Sequence, residues 1–442
     1  MRVSGIGRSA GAPLREAPAS VGQRLLWFLD HYRTSGAALN CPIICRIDGP
    51  LDVARLREAV GLLTFRHEAL RTTLERRGRQ LWQVVHDTPA PDLVVHDLAS
   101  ARDPEHAARR AVEDELRTRI DPAALPLRPT LWRVGNASHI FCLNVNHLSS
   151  DAWSGAIQMR DLKFLYEGRN GVGAPLPPVE LQYADFTARQ EEYFRGTAFQ
   201  RDASYWRDAL KGASYDSIPL AAATDAGRRH TARARISIDP RETGLLKALA
   251  RNLRTTLFSL MLTLYFTTVH RLTRKSDLAV ASLFANRMRP DLQNTVGFIA
   301  NLVVLRSVTQ PGASFRAVQQ SVQTGLREGF VHQACPLHLL GSELTVRDGR
   351  RADEAVFQML PQALDRSRVG NIEIAMDVPD SLESRFEFEV TLVLEREQLT
   401  VIVLWNSVRL SQDWVLQFLH EYRAGVTAVL TNPDVVCTGA VH

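Results

Sequence analysis

The segment GRNGVGAPLPP, from Gly168 to Pro178, can be neither a helix nor a central strand, because glycine and proline make up more than half of it. It divides the chain into an N-terminal stretch, 17–177, and a C-terminal stretch, 178–442, behind a loose Gly/Ala/Arg-rich tail, 1–16. Each stretch interleaves short alternating apolar runs with runs of helical spacing. That pattern predicts two mixed α/β lobes.

In the first stretch CPIICRI (Cys41–Ile47) has the β-branched content of a strand. Asp52 then caps a helix that carries Val53, Leu56, Val60 and Leu63 on one side. LRTTLE and QLWQVVH flank Arg76–Arg79 as a hairpin would. A charged helix near Glu105–Arg119, a strand near Thr130–Val134 and a buried strand His139–Asn146 follow. WSGAIQMRDLKFLYEG then has the spacing of a helix ending at Gly168. In the second stretch, helices are expected around Gln182–Arg195, Gln200–Leu210, Arg241–Leu253, Leu257–Arg271, Ser314–Glu328 and Ser411–Leu430. Strands are expected at Leu278–Phe284, Ile299–Arg306, FEFEVTLVLE and QLTVIVLWN. RRHTARAR (Arg228–Arg235) reads as the start of an exposed strand.

Composition removes several function classes. At 45% hydrophobic and 23% charged the chain is globular. Its longest apolar run, Leu257–Val269, is broken by Ser259, Thr263, Thr267 and Thr268, so no membrane span is expected. The first residues lack the apolar core of a secretory signal, which makes the cytoplasm the expected location. Five scattered cysteines are expected to be free thiols, with Cys41 and Cys45 on one face of a strand as packing. The net charge of +5 does not mark a nucleic-acid binder, because arginines are spread along the chain among 48 acids with no aromatic interleaving. Metal chemistry and nucleotide hydrolysis have no motif: there is no H-E-x-x-H, paired C-x-x-C or Walker-type loop. A G-x-S-x-G at Gly7–Gly11 lacks the strand and helix that a nucleophile elbow needs.

The constellation that can carry chemistry is NHLSSDAWS, Asn146 to Ser154, between a buried strand and a helix. A strand-to-helix loop can hold a side chain at the mouth of a cleft. An imidazole such as that of His147 exchanges protons near neutral pH. Asp151, at the helix start, can cap that helix or pair with a distant arginine. A purely structural histidine and a simple capping aspartate fit this spacing as well. His67 reads as buried structure or a cap partner, and His332 as a donor to neighbouring backbone.

With these residues in view, the chain resembles condensation domains of nonribosomal peptide synthesis, in the superfamily of chloramphenicol acetyltransferase. APASVGQRLLWFLD (Ala17–Asp30), RHEALRTTL (Arg66–Leu74), NHLSSDAWS, YADFTARQ (Tyr183–Gln190) with YWRDAL, NRMRPDLQNTVGFIANLVVLR (Asn286–Arg306), HQACPLHLL (His332–Leu340) and SRFEFEVTL (Ser384–Leu392) follow the family's motifs in order. The resemblance implies an α/β fold of two chloramphenicol-acetyltransferase-like lobes, a V-shaped pseudo-dimer with the active site at their interface. It implies that His147 is catalytic, that Asn146, Asp151 and Arg287 support the site, with Asp151 paired to Arg287, and that Ala152, Trp153, Ser154 and Asn301 lie near substrate. No metal and no bound cofactor is expected. The phosphopantetheine arm comes from an acyl or peptidyl carrier protein, and the acceptor is a small molecule or a second carrier-bound group.

Two positions depart from the family's H-H-x-x-x-D-G signature: Asn146 stands for its first histidine and Ala152 for its glycine. Asn keeps a donor and an acceptor, so activity is still expected. The expected protein is a free-standing, monomeric condensation enzyme that forms an amide or an ester, with no nucleic-acid or membrane partner. An ester-forming acyltransferase with a soluble alcohol acceptor, and a non-catalytic recruitment domain for carriers or tailoring enzymes, are the alternatives.

Overall fold

The computed structural model describes residues 13–32, 39–87, 91–168, 175–222, 230–360, 366–377, 384–395 and 397–436. The Gly7–Gly11 motif, Cys437 and most of the 168–178 linker lie outside them. In chain order the first elements are β1 (Pro13–Pro18), α1 (Val21–Tyr32), β2 (Asn40–Asp48), α2 (Val53–Arg66), β3 (Thr72–Arg77), β4 (Gln80–His86) and β5 (Val94–Asp97). Next come α3 (Pro104–Arg117), β6 (Leu127–Gly135), β7 (Ser138–Asn146), α4 (Ala152–Glu167), α5 (Tyr183–Arg195) and α6 (Thr197–Leu210). They are followed by β8 (Thr231–Ile238), α7 (Pro240–Asn252), α8 (Leu257–Thr273), β9 (Asp277–Phe284), β10 (Asn301–Val308) and α9 (Phe315–Val331). The remainder is α10 (Ser342–Thr345), β11 (Val346–Arg347), β12 (Arg350–Arg351), β13 (Ala355–Met359), β14 (Arg366–Val369), β15 (Ile372–Asp377), β16 (Phe388–Glu395), β17 (Gln398–Asn406) and α11 (Gln412–Thr431).

The chain forms two compact units. Unit 1 holds Met1–Glu192, Arg287–Ile299 and Arg366–Leu382, and unit 2 holds Tyr193–Asn286, Ala300–Asp365 and Glu383–His442. The compact units therefore do not follow the 177/178 division. Long-range pairing is the reason: β15 pairs antiparallel with β2, Ile374 opposite Ile47, and so ties 366–377 to unit 1. The expected loose tail is also partly strand, because β1 pairs with β4 from Pro13 to Pro18.

Unit 1 is built on a six-stranded sheet, β14-β15-β2-β7-β6-β5, beside a three-stranded sheet, β1-β4-β3. On β7 the alternate residues Phe141, Leu143 and Val145 join the core with α2 and α4, while Cys142 joins Val112 and Leu116 of α3. Helices thus cover both faces, which is why this strand is buried at seven of its nine positions. Asp52 caps α2 by accepting from the Arg55 N–H, as its spacing predicts.

Unit 2 carries a second six-stranded sheet, β10-β9-β13-β16-β17-β8. Its central β13 and β16 run parallel and pack with the nearly all-buried α8 and with α11. Strand β10 begins at Asn301 rather than Ile299, because the Ile299 N–H bonds to the Asp151 carboxylate. No helix among the described residues is long and apolar enough to cross a membrane. Cys45, Cys142 and Cys335 are free thiols.

Candidate active site

The loop between β7 and α4 is pinned at every step, which fixes the direction in which His147 points. Asn146 ends β7, 2% exposed, and both ends of its amide are used: Nδ2 donates to the Ile120 carbonyl at 2.9 Å and Oδ1 accepts from the Leu148 N–H at 2.9 Å. The His147 N–H donates to the Leu39 carbonyl at 2.7 Å, and the Leu148 carbonyl accepts from Gln23 Nε2 at 3.0 Å. An asparagine at position 146 therefore holds the loop with neutral, local bonds.

His147 itself is half-buried. Its Nδ1 lies 2.5 Å from the Ser150 carbonyl oxygen. A carbonyl can only accept, so Nδ1 carries the hydrogen and the lone pair of the neutral ring sits on Nε2. The ring meets Phe298 edge-on, with centroids 5.0 Å apart and planes at 81°.

Asp151 does the two jobs open to it at once. Its Oδ1 accepts from the Ser154 N–H at 2.8 Å and caps α4. It is also held by Arg287, with Nη1 2.9 Å from Oδ2 and Nη2 3.1 Å from Oδ1. Arg287 further donates to Ser154 Oγ at 2.9 Å and to the Thr295 and Gly297 carbonyls at 3.2 Å each. Both charges are almost fully enclosed. Burial by itself would raise the Asp151 pKa, but the guanidinium and the Ser154 bonds outweigh it and hold the carboxyl below its usual range.

The neighbouring positions sort plainly. Ala152 is the exposed first residue of α4, where helical backbone suits any L-residue and no glycine is required. Trp153 is 36% exposed and donates from Nε1 to the Gln293 carbonyl at 3.1 Å. Ser154 is buried and its hydroxyl donates to the Gly297 carbonyl at 2.9 Å. Unit 1 thus brings together Asn146, His147, Asp151, Ala152, Trp153, Ser154 and Arg287. Asn301 belongs to unit 2, where Nδ2 donates to the Gln333 and Ala334 carbonyls at 2.9 and 3.2 Å.

His67 and His332 take carboxylate partners. His67 Nε2 lies 2.9 Å from Asp161 Oδ2, which also accepts from Arg66. In unit 2 the His332 Nδ1 meets Asp202 Oδ1 at 2.8 Å, a side-chain partner in place of the expected backbone. Among the described residues no group of three or more His, Cys, Asp or Glu is placed to hold a metal. Sequence reading missed Phe298 against His147, and the Tyr183 hydroxyl that donates to the Phe298 carbonyl at 2.8 Å. No spacing rule could have joined positions so far apart along the chain.

The condensation-domain family profile matches residues 14–439. The chain is 34% identical over 457 aligned positions to chondramide synthase cmdD of Chondromyces crocatus, covering 97% of itself and 11% of that protein. It is 31% identical to phosphinothricin tripeptide synthetase PhsC of Streptomyces viridochromogenes over 87% of itself and 36% of that protein. The chain thus spans about a tenth to a third of the length of these relatives. Among solved structures, the first condensation domain of the calcium-dependent antibiotic synthetase superposes with a TM-score of 0.82 at 19% identity, covering 97% of this chain and 99% of that one. The SgcC5 protein of Streptomyces globisporus does so with 0.78 at 23%, covering 95% and 100%. These likenesses show the fold, a mixed α/β architecture. The chain belongs to the condensation-domain family, whose members are acyltransferases of nonribosomal peptide synthesis.

Proposed function

We propose that this chain transfers an acyl or aminoacyl group from the phosphopantetheine thioester of a carrier protein to an amine acceptor, forming an amide in the cytoplasm. The observation that carries the reading is the 2.5 Å contact of His147 Nδ1 with the Ser150 carbonyl, which puts the lone pair on Nε2.

In this mechanism the acceptor nitrogen attacks the thioester carbonyl carbon while Nε2 accepts its proton. The C–N bond forms and the C–S bond breaks. The proton passes from Nε2 to the departing pantetheine sulfur, so the ring returns to its starting state without a covalent acyl-enzyme. Holding donor and acceptor in one orientation supplies much of the rate, up to about 7–11 kcal/mol in favourable systems. A hydroxyl acceptor would use the same Nε2 and give an ester.

A purely recruiting role draws no support from the two departures from the signature, since Asn146 has both amide ends bonded and Ala152 sits in unstrained helical backbone. The test loads a carrier protein with candidate acyl groups, offers amines and alcohols, and scores product by mass spectrometry for the wild type and His147→Ala. Amide formation lost in the variant supports the proposal, and ester formation alone makes the acceptor an alcohol. Carrier binding without any product overturns the proposal in favour of recruitment.

A further inference from the structure

Two contacts bear on the plane of the His147 ring, one within its own loop and one from outside it. The Nδ1 bond to Ser150 fixes one ring atom, and a single hydrogen bond does not by itself set the plane of the ring. The second contact is Phe298, edge-on at 5.0 Å. Edge-to-face contact is the favoured geometry of two π systems and resists a tilt of the ring.

Phe298 is itself unusually well held. On one side α1 lies against its ring: a Cβ on Gly22 would come 2.7 Å from Phe298 Cδ1, so the ring has no room to move that way. Its carbonyl accepts from the Tyr183 hydroxyl at 2.8 Å, and that hydroxyl is 2.8 Å from Ser20 Oγ. The preceding residue, Gly297, packs flush on the Tyr183 ring, where a Cβ would fall 2.1 Å from Cδ2. The following residue, Ile299, donates its N–H to Asp151 Oδ2 at 3.1 Å. His147 and Phe298 are half-buried while both chain neighbours of each are buried.

We infer that Phe298 is a positioning residue for acyl transfer: its ring, backed by Gly22 of α1, fixes the plane in which His147 presents Nε2. The inference rests on the reading of His147 as the proton acceptor. A misplacement of a reacting group by about 1 Å can cost on the order of 100-fold in rate, and a tilt of the imidazole moves Nε2 over such distances.

The test uses the full 442-residue chain with the carrier-bound donor and acceptor found active. Phe298→Ala is expected to lower kcat by about 10- to 100-fold with KM little changed, while Phe298→Tyr, which keeps the ring, restores most of it. Gly22→Ala, which crowds the ring without removing it, is expected to lower kcat as well, and the double variant should be no worse than Phe298→Ala alone. Independently of turnover, NMR of histidine-labelled protein, assigned with His147→Gln, should show the Nδ1–H tautomer in both proteins, because the Ser150 carbonyl remains, with sharp His147 ring signals in the wild type and exchange-broadened ones in Phe298→Ala as the ring tilts. Wild-type kcat in folded Phe298→Ala, or His147 ring signals as sharp as in the wild type, overturns the inference. If Phe298→Ala fails to fold, an unchanged kcat in Gly22→Ala overturns it. Full rate in His147→Ala would instead bring down the proposed function, a separate and distinguishable failure.

Discussion

Arg287 and Asp151 stand 136 residues apart in sequence and close a two-pronged ion pair directly beneath the loop that bears His147. The carboxylate is at the same time the cap of α4, so one side chain sets both the start of the helix and the end of the loop. Removing either charge leaves the other buried without its partner. Arg287→Ala should cost about 3–5 kcal/mol of stability, read as a fall in the urea midpoint, and should abolish turnover. Arg287→Lys keeps charge but loses the fork, and is expected to recover part of the stability and little of the activity. The paired Asp151→Leu/Arg287→Met variant should be more stable than either single change and still inactive. Activity in that variant would show that the pair does not place the loop.

Asn146 bonds to a carbonyl through its NH2 and to an N–H through its oxygen. Asn146→Asp keeps the second bond but faces the Ile120 carbonyl with a carboxylate that has nothing to donate. The expected loss is about 1–3 kcal/mol, together with a fall in acyl transfer. Asn146→His, which offers a ring donor, should fold with a smaller penalty. Chemical unfolding of the two variants side by side measures the difference, and equal stability would contradict this account.

Acid should weaken the fold in two stages. Burial, ahead of the opposing pull of Asp161, holds the His67 pKa below its ordinary value. A depressed folded pKa means that stability is complete above the unfolded pKa of about 6.5 and declines as pH falls below it. His139, also lowered by burial, adds to the same window. Asp151 is likewise depressed, so its contribution is complete above about pH 4 and is lost as pH falls through its folded value. Urea midpoints measured from pH 7 to 3.5 should show both declines, and His67→Gln should make the first one shallower, with His139 carrying what remains.

Gly297 has φ of +155° and lies against the Tyr183 ring, where an added Cβ would fall 2.1 Å from Cδ2. Tyr183 is fully buried and cannot yield. Gly297→Ala should therefore destabilise by an overpacking cost of about 1–3 kcal/mol and displace Phe298 with it. Thermal unfolding and the line width of the His147 ring signals should change together. A stable variant with an undisturbed signal would show that the contact relaxes freely.

What could be read without coordinates follows the range of the interaction concerned. Asp52 and Asp151 as helix caps, β7 as a buried strand and α4 ending at Gly168 depend on residues within a few positions, and the structure has them where the spacing put them. The short β14 and β15 escaped notice because a four- and a six-residue strand carry little periodicity and owe their existence to β2, far upstream. Phe298 escaped for the same reason: nothing near it in the chain marks it as a neighbour of an imidazole. Motif order supplied what spacing lacked, tying Asp151 to Arg287, 136 residues apart.

The assignment of 287–299 and 366–377 to unit 1 has a consequence for how the protein is born. As the ribosome emits the chain, Asp151 appears 136 residues before the arginine that neutralises it, a delay of roughly 7–27 s at about 5–20 residues per second. Through that interval the loop of His147 has its β7 strand but not its counter-charge, and the edge of the β2 strand awaits β15 for longer still. The nascent N-terminal unit is thus an unfinished sheet with an exposed seam, and the last third of the chain must arrive to close it.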